Sequence, residues 1–150
     1  MLERGSGDLL VAEVDALVNA VNCVGVMGKG IALAFKQRYP ENYRVYRTAC
    51  GRGEVVPGRM FVVELGSSMP KYVINFPTKR HWRSPARLAD IEAGLKDLVR
   101  VIDEYGIGSI AVPALGAGNG GLLWPEVEPL IAAALGELPG VRVALYPPLP

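Results

Sequence analysis

The segment ALVNAVNCVGVMGKGIA, residues 16–32, decides the fold class of this 150-residue chain. Its first six residues form a nearly continuous apolar run, which is too short for a helix and suits a strand covered on both faces. A glycine-rich loop follows, and good helix formers then continue to Tyr39, where Pro40 ends or kinks the helix. A strand, a glycine loop and a helix in this order are typical of an α/β domain.

The rest of the chain repeats this alternation of strands and helices. The apolar residues after the pair Ser84-Pro85 recur at three- and four-residue spacing, which predicts a long helix that begins at this pair. The predicted strands are 16–21, 59–65, 71–76, 109–115 and 141–146, and the predicted helices are 31–39, a stretch ending at Cys50, one from Ser84 to Gly106, and 124–138. The sequence therefore predicts a mostly parallel sheet between two helical layers.

Length and charge narrow the class of protein. A folded chain of this size buries roughly 70% of the surface of its unfolded form, so we expect one soluble domain with a single core. The 16 Lys and Arg residues nearly balance the 15 Asp and Glu residues, which gives a net charge of +1. This balance excludes a protein held on nucleic acid by bulk electrostatic attraction. Any polynucleotide partner must be held locally, and we expect a monomer.

The few cysteines and the sequence ends exclude other classes. Two cysteines without CxxC spacing and one histidine predict neither a disulfide framework nor a metal site, and we expect no cofactor. Glu3 and Arg4 interrupt what would be the apolar core of a signal peptide, and no stretch approaches the ~18 apolar residues of a membrane span. We therefore expect a cytoplasmic protein. The final YPPLP is typical of the start of a linker, which predicts that this domain is the N-terminal part of a longer chain.

Two glycine-rich loops, GVMGKG at 25–30 and GAGNGG at 116–121, each follow a predicted strand. Ligands bind α/β sheets at the carboxyl ends of the strands. Glycine lets the backbone approach a ligand closely, and a helix N-terminus adds partial positive charge, so the pair of loops could hold a diphosphate. The alternative is a pair of tight turns. The second loop matches GxGxxG but comes too late in the chain for a dinucleotide fold, and the first lacks the P-loop spacing.

The chain resembles the macrodomain family, whose members bind ADP-ribose on a three-layer α/β/α fold with a central mixed, mostly parallel sheet. The resemblance rests on Gly7-Asp8-Leu9, on VNAVN with GVMGKGIA, on PALGAGNGG and on an aromatic residue after the final strand. It covers essentially all 150 residues. NFPTKRHWR and GNGGLLW are similar to the subgroup that contains the antitoxin of the DarT–DarG system and the terminal ADP-ribose protein glycohydrolase.

This resemblance implies roles for residues around the loops. Asp8 would accept the adenine amino group, Tyr146 would stack on the adenine, and Asn22 would hydrogen-bond the distal ribose. The alternatives are a helix cap for Asp8, an ordinary core or edge aromatic for Tyr146, and an Asx turn for Asn22. The other implied ADP-ribose contacts are Leu9, Gly28, Lys29, Gly30, Gly116, Ala117, Gly118, Asn119, Gly120 and Gly121.

Lys79 and Asn22 are the implied catalytic residues, because the P-T-K motif matches the position of the subgroup's catalytic lysine. A lysine amine in a partly desolvated cleft can act as a nucleophile or as a base at the anomeric carbon, whereas the alternative is a solvated lysine in a basic loop. Subgroup members commonly carry an acid in the second loop, but residues 120–124 read GGLLW. We expect the lysine to work without it. Substitution by Asp8 or Glu126, and binding with poor turnover, stay open.

The basic segment KRHWR at 79–83 concentrates charge around one large aromatic residue. Arginine can bind phosphate bidentately, and Trp82 can stack on an unpaired base. The candidate contacts to DNA are Arg80, His81, Trp82 and Arg83. Equally consistent with the sequence is a loop in which Trp82 packs underneath and the arginines pair with Asp90 and Glu92.

The function implied by the resemblance is that of a DNA ADP-ribosyl glycohydrolase, which removes ADP-ribose from thymine bases in single-stranded DNA and acts as an antitoxin. The implied partners are ADP-ribose, ADP-ribosylated DNA and a DarT-type toxin. Two other functions fit the same residues, namely ADP-ribose binding without hydrolysis and hydrolysis of ADP-ribosylated protein carboxylates. Lys79 favours an enzyme, whereas the missing acid favours a binding module.

Overall fold

The computed structural model describes residues 2–148, so the last two residues of the predicted linker lie outside the described part of the chain. The strands are β1 (Leu2–Arg4), β2 (Ala16–Val21), β3 (Phe61–Glu64), β4 (Tyr72–Pro77), β5 (Ser109–Val112) and β6 (Arg142–Leu145). The helices are α1 (Gly30–Arg38), α2 (Pro40–Gly51), α3 (Leu88–Glu104) and α4 (Trp124–Leu135). The six strands form one sheet in the order β1-β6-β5-β2-β4-β3.

The predicted three-layer architecture with a mixed sheet is confirmed. Neighbouring strands are parallel except for the hairpin of β3 and β4. Side chains of β2 alternate between the faces of the sheet: Ala16 and Val18 join the core under α3 and α4, whereas Leu17 packs on the side of α1. All three are fully buried, which explains why β2 reads as an apolar run that only Asn19 interrupts.

Three asparagines in the interior join the sheet to α2. Asn75 of β4 accepts hydrogen bonds from Asn19 of β2 at 3.3 Å and from Asn42 of α2 at 3.2 Å. Its own amide donates to Asn42 at 2.9 Å and to the Phe61 carbonyl of β3 at 3.1 Å. All three asparagines are fully buried, and these bonds fix α2 against three strands. Among the described residues, Oδ1 of Asn19 is a buried side-chain oxygen that accepts no hydrogen bond.

The prediction that a helix begins at Ser84-Pro85 is wrong. Helix α3 begins three residues later, and Arg87 occupies its N-cap. Ser84 closes a turn by donating its N–H to the His81 carbonyl at 3.0 Å, and Ala86 donates its N–H to the Gly120 carbonyl at 2.9 Å. The segment before α3 is therefore held by the second glycine loop instead of by helical hydrogen bonds.

The sequence does not indicate two short N-terminal elements. Three predicted strands, 59–65, 109–115 and 141–146, are longer than β3, β5 and β6, and the predicted helix 124–138 ends earlier, at Leu135. Strand β1 pairs in parallel with β6, and a 3-10 turn follows at Leu9–Val11. Strand β5 stops at Val112 because Pro113 carries no N–H and its carbonyl accepts from Leu115 in a turn at 2.8 Å. These corrections shift element ends without changing the order of the elements.

Candidate functional site

One deep cleft of about 1190 Å³ lies at the carboxyl ends of β2, β4, β5 and β6. Both glycine loops border it, as the sequence analysis predicts. The predicted site residues that line it are Asp8, Leu9, Asn22, Gly28, Lys29, Gly30, Lys79, Trp82, Gly116, Ala117, Gly118, Asn119, Gly120 and Tyr146.

Four predicted residues do not line the cleft. They are Gly121, Arg80, His81 and Arg83. Gly121 has a φ of +82° and donates its N–H to the Gly118 carbonyl at 3.4 Å, so it closes the turn of the second loop. Gly121 therefore shapes the second loop without lining the cleft.

Asn22 precedes the first glycine loop, and its side chain organises the backbone that leads into the loop. Its Oδ1 accepts the N–H of Val24 at 3.0 Å, and its Nδ2 donates to the Val26 carbonyl at 2.8 Å. The first of these bonds is the Asx turn that the sequence analysis held as the alternative reading. Because an amide nitrogen carries two protons, Nδ2 retains one donor beyond its bond to Val26.

Tyr46 of α2 supports this arrangement, and the sequence analysis missed it. Its hydroxyl donates to Asn22, with oxygen distances of 2.7 Å to the carbonyl and 2.9 Å to Oδ1. Burial, together with the nearby Cys50, raises the pKa of Tyr46 well above its usual range, so the hydroxyl keeps its proton. The available signal is the spacing of Tyr43 and Tyr46, which puts two aromatic residues on one face of a polar helix.

Cys23 follows Asn22 but is poorly suited to act as a nucleophile. Burial raises the pKa of its thiol to about 11, with smaller contributions from Cys50 and Asp90. Since the thiolate is the reactive form, the thiol is inert near neutral pH.

The start of α1 supplies positive potential to the cleft. Lys29 occupies the N-cap, and its side chain makes no capping hydrogen bond to the helix. Gly30, Ile31 and Ala32 line the cleft, and the N–H groups of a first helical turn have no intrahelical acceptors. This helix end is therefore suited to bind an anion.

The two glycine loops touch across the cleft. A Cβ atom on Gly30, whose φ is +55°, would lie 2.7 Å from Nδ2 of Asn119. Within the second loop, a Cβ on Gly120 would lie 2.5 Å from the Gly116 carbonyl oxygen. Both positions therefore require glycine, and together the loops form a narrow backbone clamp.

Asp8 and Tyr146 lie at the end of the cleft near β6. Asp8 Oδ1 accepts the N–H of Leu10 at 3.0 Å and caps the 3-10 turn, so the predicted alternative of a helix cap is realised with one of its two carboxylate oxygens. The ring of Tyr146 lies directly over Gly5, where a Cβ would come within 2.4 Å of it. Tyr146 therefore presents an aromatic surface to the cleft.

Lys79 lies at the opposite end of the cleft. The N–H groups of Thr78 and Lys79 both point to the Val21 carbonyl, at 2.8 and 3.4 Å, which places Lys79 beside the residue that follows β2. Its Nζ donates a hydrogen bond to the Trp82 carbonyl at 2.9 Å. Lys79 is half-buried and lines the cleft, as a residue that acts on a bound ligand would be, rather than extending from the loop as the alternative of a solvated lysine has it.

The basic segment (residues 79–83) divides into two parts. Arg80 makes a two-pronged ion pair with Asp90 of α3, with both N–O distances at 3.2 Å, as the second of the two predicted arrangements requires. Trp82 does not pack underneath the loop: it is 43% exposed, its ring contacts that of His81 at 5.3 Å between centroids, and the Arg83 guanidinium lies 4.5 Å from it. The guanidinium of Arg80 is thus occupied by Asp90, whereas Trp82 is exposed to solvent.

Within residues 2–148, Asp8 is the one carboxylate that lines the cleft, and Glu126 does not reach it. No group of three potential metal ligands occurs in this part of the chain. The described helices include none that is long and apolar enough to cross a membrane.

Comparisons with known proteins agree with this geometry. DNA ADP-ribosyl glycohydrolases of Mycobacterium tuberculosis and Thermus aquaticus are 60% and 56% identical to this chain over 99% of its length. The chain spans 42% of the length of each of these relatives. Among solved structures, the macrodomain of Mycobacterium tuberculosis DarG covers 99% of both chains with a TM-score of 0.97 and 60% identity.

A larger solved structure is also similar. Thermosipho africanus DarTG in complex with ADP-ribose matches 99% of this chain and 42% of its own, with a TM-score of 0.93 and 38% identity. A family model described as Macro domain matches residues 18–131. The sheet order, the paired glycine loops and these matches agree, and the chain belongs to the macrodomain family.

Proposed function

We propose that this domain binds ADP-ribose and removes it from thymine bases in single-stranded DNA. The observation that carries the proposal is the cleft itself, which has an aromatic residue at one end, a double backbone clamp in the middle and a lysine at the other end. The names of the relatives at 60% and 56% identity support the same activity.

The order of the strands supports the way in which ADP-ribose would lie. Strands β6, β5, β2 and β4 are consecutive in the sheet, so Tyr146, the second loop, the first loop and Lys79 follow one another along its edge. Four neighbouring strands extend over roughly 14 Å. In this direction adenine would contact Tyr146 and Asp8, the diphosphate would lie between the loops at the start of α1, and the distal ribose would reach Asn22 and Lys79.

The proposed reaction is hydrolysis of one N-glycosidic bond. The bond between the anomeric carbon of the distal ribose and the thymine nitrogen breaks, its electron pair leaves with thymine, and the nitrogen takes up a proton. The oxygen of water forms the new bond to the anomeric carbon. Lys79 is the side chain proposed to act on the anomeric carbon or on the incoming water. By binding the diphosphate, the two glycine loops would hold the distal ribose within reach of Lys79.

The test compares the wild type with Lys79→Ala on two substrates, a thymine-ADP-ribosylated oligonucleotide and a protein ADP-ribosylated on carboxylates. We expect the wild type to cleave the oligonucleotide and the variant to be slower by about 10²–10⁴-fold, because one positioned group is lost. ADP-ribose affinity of the variant, measured by calorimetry, should change little. Lys96→Ala is the matched control, because Lys96 is exposed on α3 and lies outside the cleft.

Three other results would contradict the proposal. Binding of ADP-ribose without cleavage of either substrate would make the domain a binding module. Cleavage of the modified protein alone would make it a hydrolase of carboxylate esters. Equal rates for Lys79→Ala and Lys96→Ala would remove Lys79 from the chemistry.

We further propose that the partner in the cell is a DNA ADP-ribosyltransferase toxin and that the domain acts as a cytoplasmic monomer. A relative in Thermosipho africanus, 36% identical over 95% of this chain, is named as a fusion of a DNA ADP-ribosyl transferase and a DNA ADP-ribosyl glycohydrolase. Co-expression with such a toxin should restore bacterial growth with the wild type and fail to do so with Lys79→Ala. Light scattering of the purified chain measures its molar mass, which should be that of a monomer.

A further inference from the structure

Trp82 connects an exposed surface to Lys79. Trp82 lines the cleft and is 43% exposed, and its main-chain carbonyl accepts the hydrogen bond from Lys79 Nζ at 2.9 Å. The ring and the carbonyl belong to one residue, so a ligand that fixes the ring also restricts the position of the carbonyl. The position of Lys79 Nζ is thereby sensitive to what lies on Trp82.

The basic segment is anchored to α3 at Arg80. Arg80 is paired through both guanidinium prongs with Asp90, whose side chain is 11% exposed. The turn that follows is held by bonds within itself: the N–H of Arg83 donates to Nδ1 of His81 at 3.1 Å, and the N–H of Ser84 donates to the His81 carbonyl at 3.0 Å. Trp82 lies in this turn, so its ring and its carbonyl can adjust together when the cleft is occupied.

The surface of Trp82 is chemically suited to a nucleobase. Its ring stacks with that of His81, and the Arg83 guanidinium lies 4.5 Å from its centre, so the two rings together form an exposed aromatic platform with a cation next to it. Such a platform takes an unpaired base on the ring and the neighbouring phosphate on the arginine. It stands next to the lysine end of the cleft, where the ADP-ribosylated base would enter.

We propose that Trp82 is a positioning residue for Lys79, and that the unpaired nucleobase adjacent to the ADP-ribosylated thymine acts on it by stacking. Stacking of the base restricts the position of the Trp82 ring and, with it, of the Trp82 carbonyl. The carbonyl accepts the hydrogen bond from Lys79 Nζ and so keeps Nζ near the anomeric carbon. The flanking base thus raises the rate of the chemical step as well as the affinity. This inference rests on the proposed function, because it needs ADP-ribosylated DNA as the substrate.

The test measures kcat and KM separately for three substrates: a modified oligonucleotide with normal neighbours, the same oligonucleotide with abasic sites on both sides of the modified thymine, and ADP-ribosylated thymidine. For the wild type we expect kcat to be about tenfold higher with the normal oligonucleotide than with the other two. Trp82→Ala should remove this difference by lowering kcat on the normal oligonucleotide, and Trp82→Phe should restore most of it.

The matched control is Tyr105→Ala. Tyr105 is 42% exposed, like Trp82, but it follows the C-terminal end of the 17-residue helix α3, whose other end faces the basic segment. That helix is about 25 Å long, so loss of this ring should leave both kinetic constants unchanged. Thermal melting of each variant verifies that it is folded.

The possible failures can be told apart. If Trp82→Ala raises KM and leaves kcat intact, Trp82 only binds DNA and the inference is overturned. If the wild type cleaves all three substrates with equal kcat, the flanking base has no role in the chemical step. If the wild type cleaves none of them, the proposed function itself fails, and the inference fails with it.

Discussion

The hydroxyl of Tyr46 is placed to hold the first glycine loop in shape although it lies outside the cleft. It donates to both oxygens of Asn22, and the residue is fully buried. Tyr46→Phe removes these bonds and keeps the ring. We expect the free energy of unfolding to fall by about 1–3 kcal/mol and ADP-ribose to bind more weakly, because the Asn22 carbonyl loses a buried donor. Chemical denaturation and calorimetry measure the two effects.

Tyr105→Phe is the control for this substitution. Tyr105 is 42% exposed, and its ring makes an edge-on contact with Tyr72 that phenylalanine would preserve. Its stability and its affinity for ADP-ribose should match those of the wild type. If Tyr46→Phe behaves in the same way, the buried hydroxyl does not support the loop.

Individual residues also show where sequence reasoning about the site succeeds and where it stops. Glycines that must approach a ligand or another backbone, such as Gly30 and Gly120, stand out in the sequence because no other residue type suits them. The partners of polar side chains depend on the tertiary structure. From the sequence alone, Arg80 could bind DNA or pair with Asp90. It pairs with Asp90 because the fold places α3 next to it.

At the scale of elements, Asp97 links α3 by a hydrogen bond to Met60, which directly precedes β3. Its carboxylate accepts the N–H of Met60 at 2.7 Å and Nε of Arg100 at 2.8 Å. Burial of this carboxyl opposes ionisation, but the two hydrogen bonds outweigh it, and the pKa of Asp97 falls below its ordinary value. A carboxyl with a lowered pKa in the folded state stabilises the fold above its unfolded pKa, and this contribution is lost as the pH falls.

Asp97→Asn should therefore lower the free energy of unfolding at pH 7 by about 1.5–3 kcal/mol, the range for a hydrogen bond to a charged group. The difference from the wild type should shrink below about pH 4, where the carboxyl of the unfolded chain is already protonated. Urea denaturation between pH 3 and pH 7 measures this. Asp103→Asn, an exposed acid on the same helix, should show no such difference; a constant deficit of Asp97→Asn at all pH values would contradict the electrostatic origin.

Elements were predictable wherever local pattern and tertiary packing agree. Strand β2 matches its predicted bounds, because both of its faces are covered and its residues other than Asn19 are apolar. The start of α3 was not predictable, because Ser84-Pro85 carries the local signature of a helix N-terminus while the Gly120 carbonyl takes the N–H of Ala86. A hydrogen bond between residues 34 positions apart leaves no local signal.

At the scale of the whole molecule, ligand binding depends on strand ends that are distant in the sequence. Residues near 8, 22–30, 79, 116–120 and 146 meet in one cleft because the sheet order places the ends of four parallel strands side by side. The sequence shows two glycine loops after strands, which is sufficient to predict a shared cleft. It does not show that Asn119 of one loop contacts Gly30 of the other.

This geometry predicts how far protection from hydrogen exchange should spread as the ligand grows. AMP carries the adenine and one phosphate, so it should slow exchange near Leu9–Val11 with little effect elsewhere. ADP should extend the protection to both glycine loops together, because the loops touch, and ADP-ribose should extend it further to residues 78–82. Mass spectrometry of peptides from the three complexes measures this order, with the exposed C-terminal end of α3 as an internal control. Protection of one loop without the other by ADP would show that the two loops bind independently, and protection of residues 78–82 by AMP would reverse the orientation of the ligand along the sheet edge.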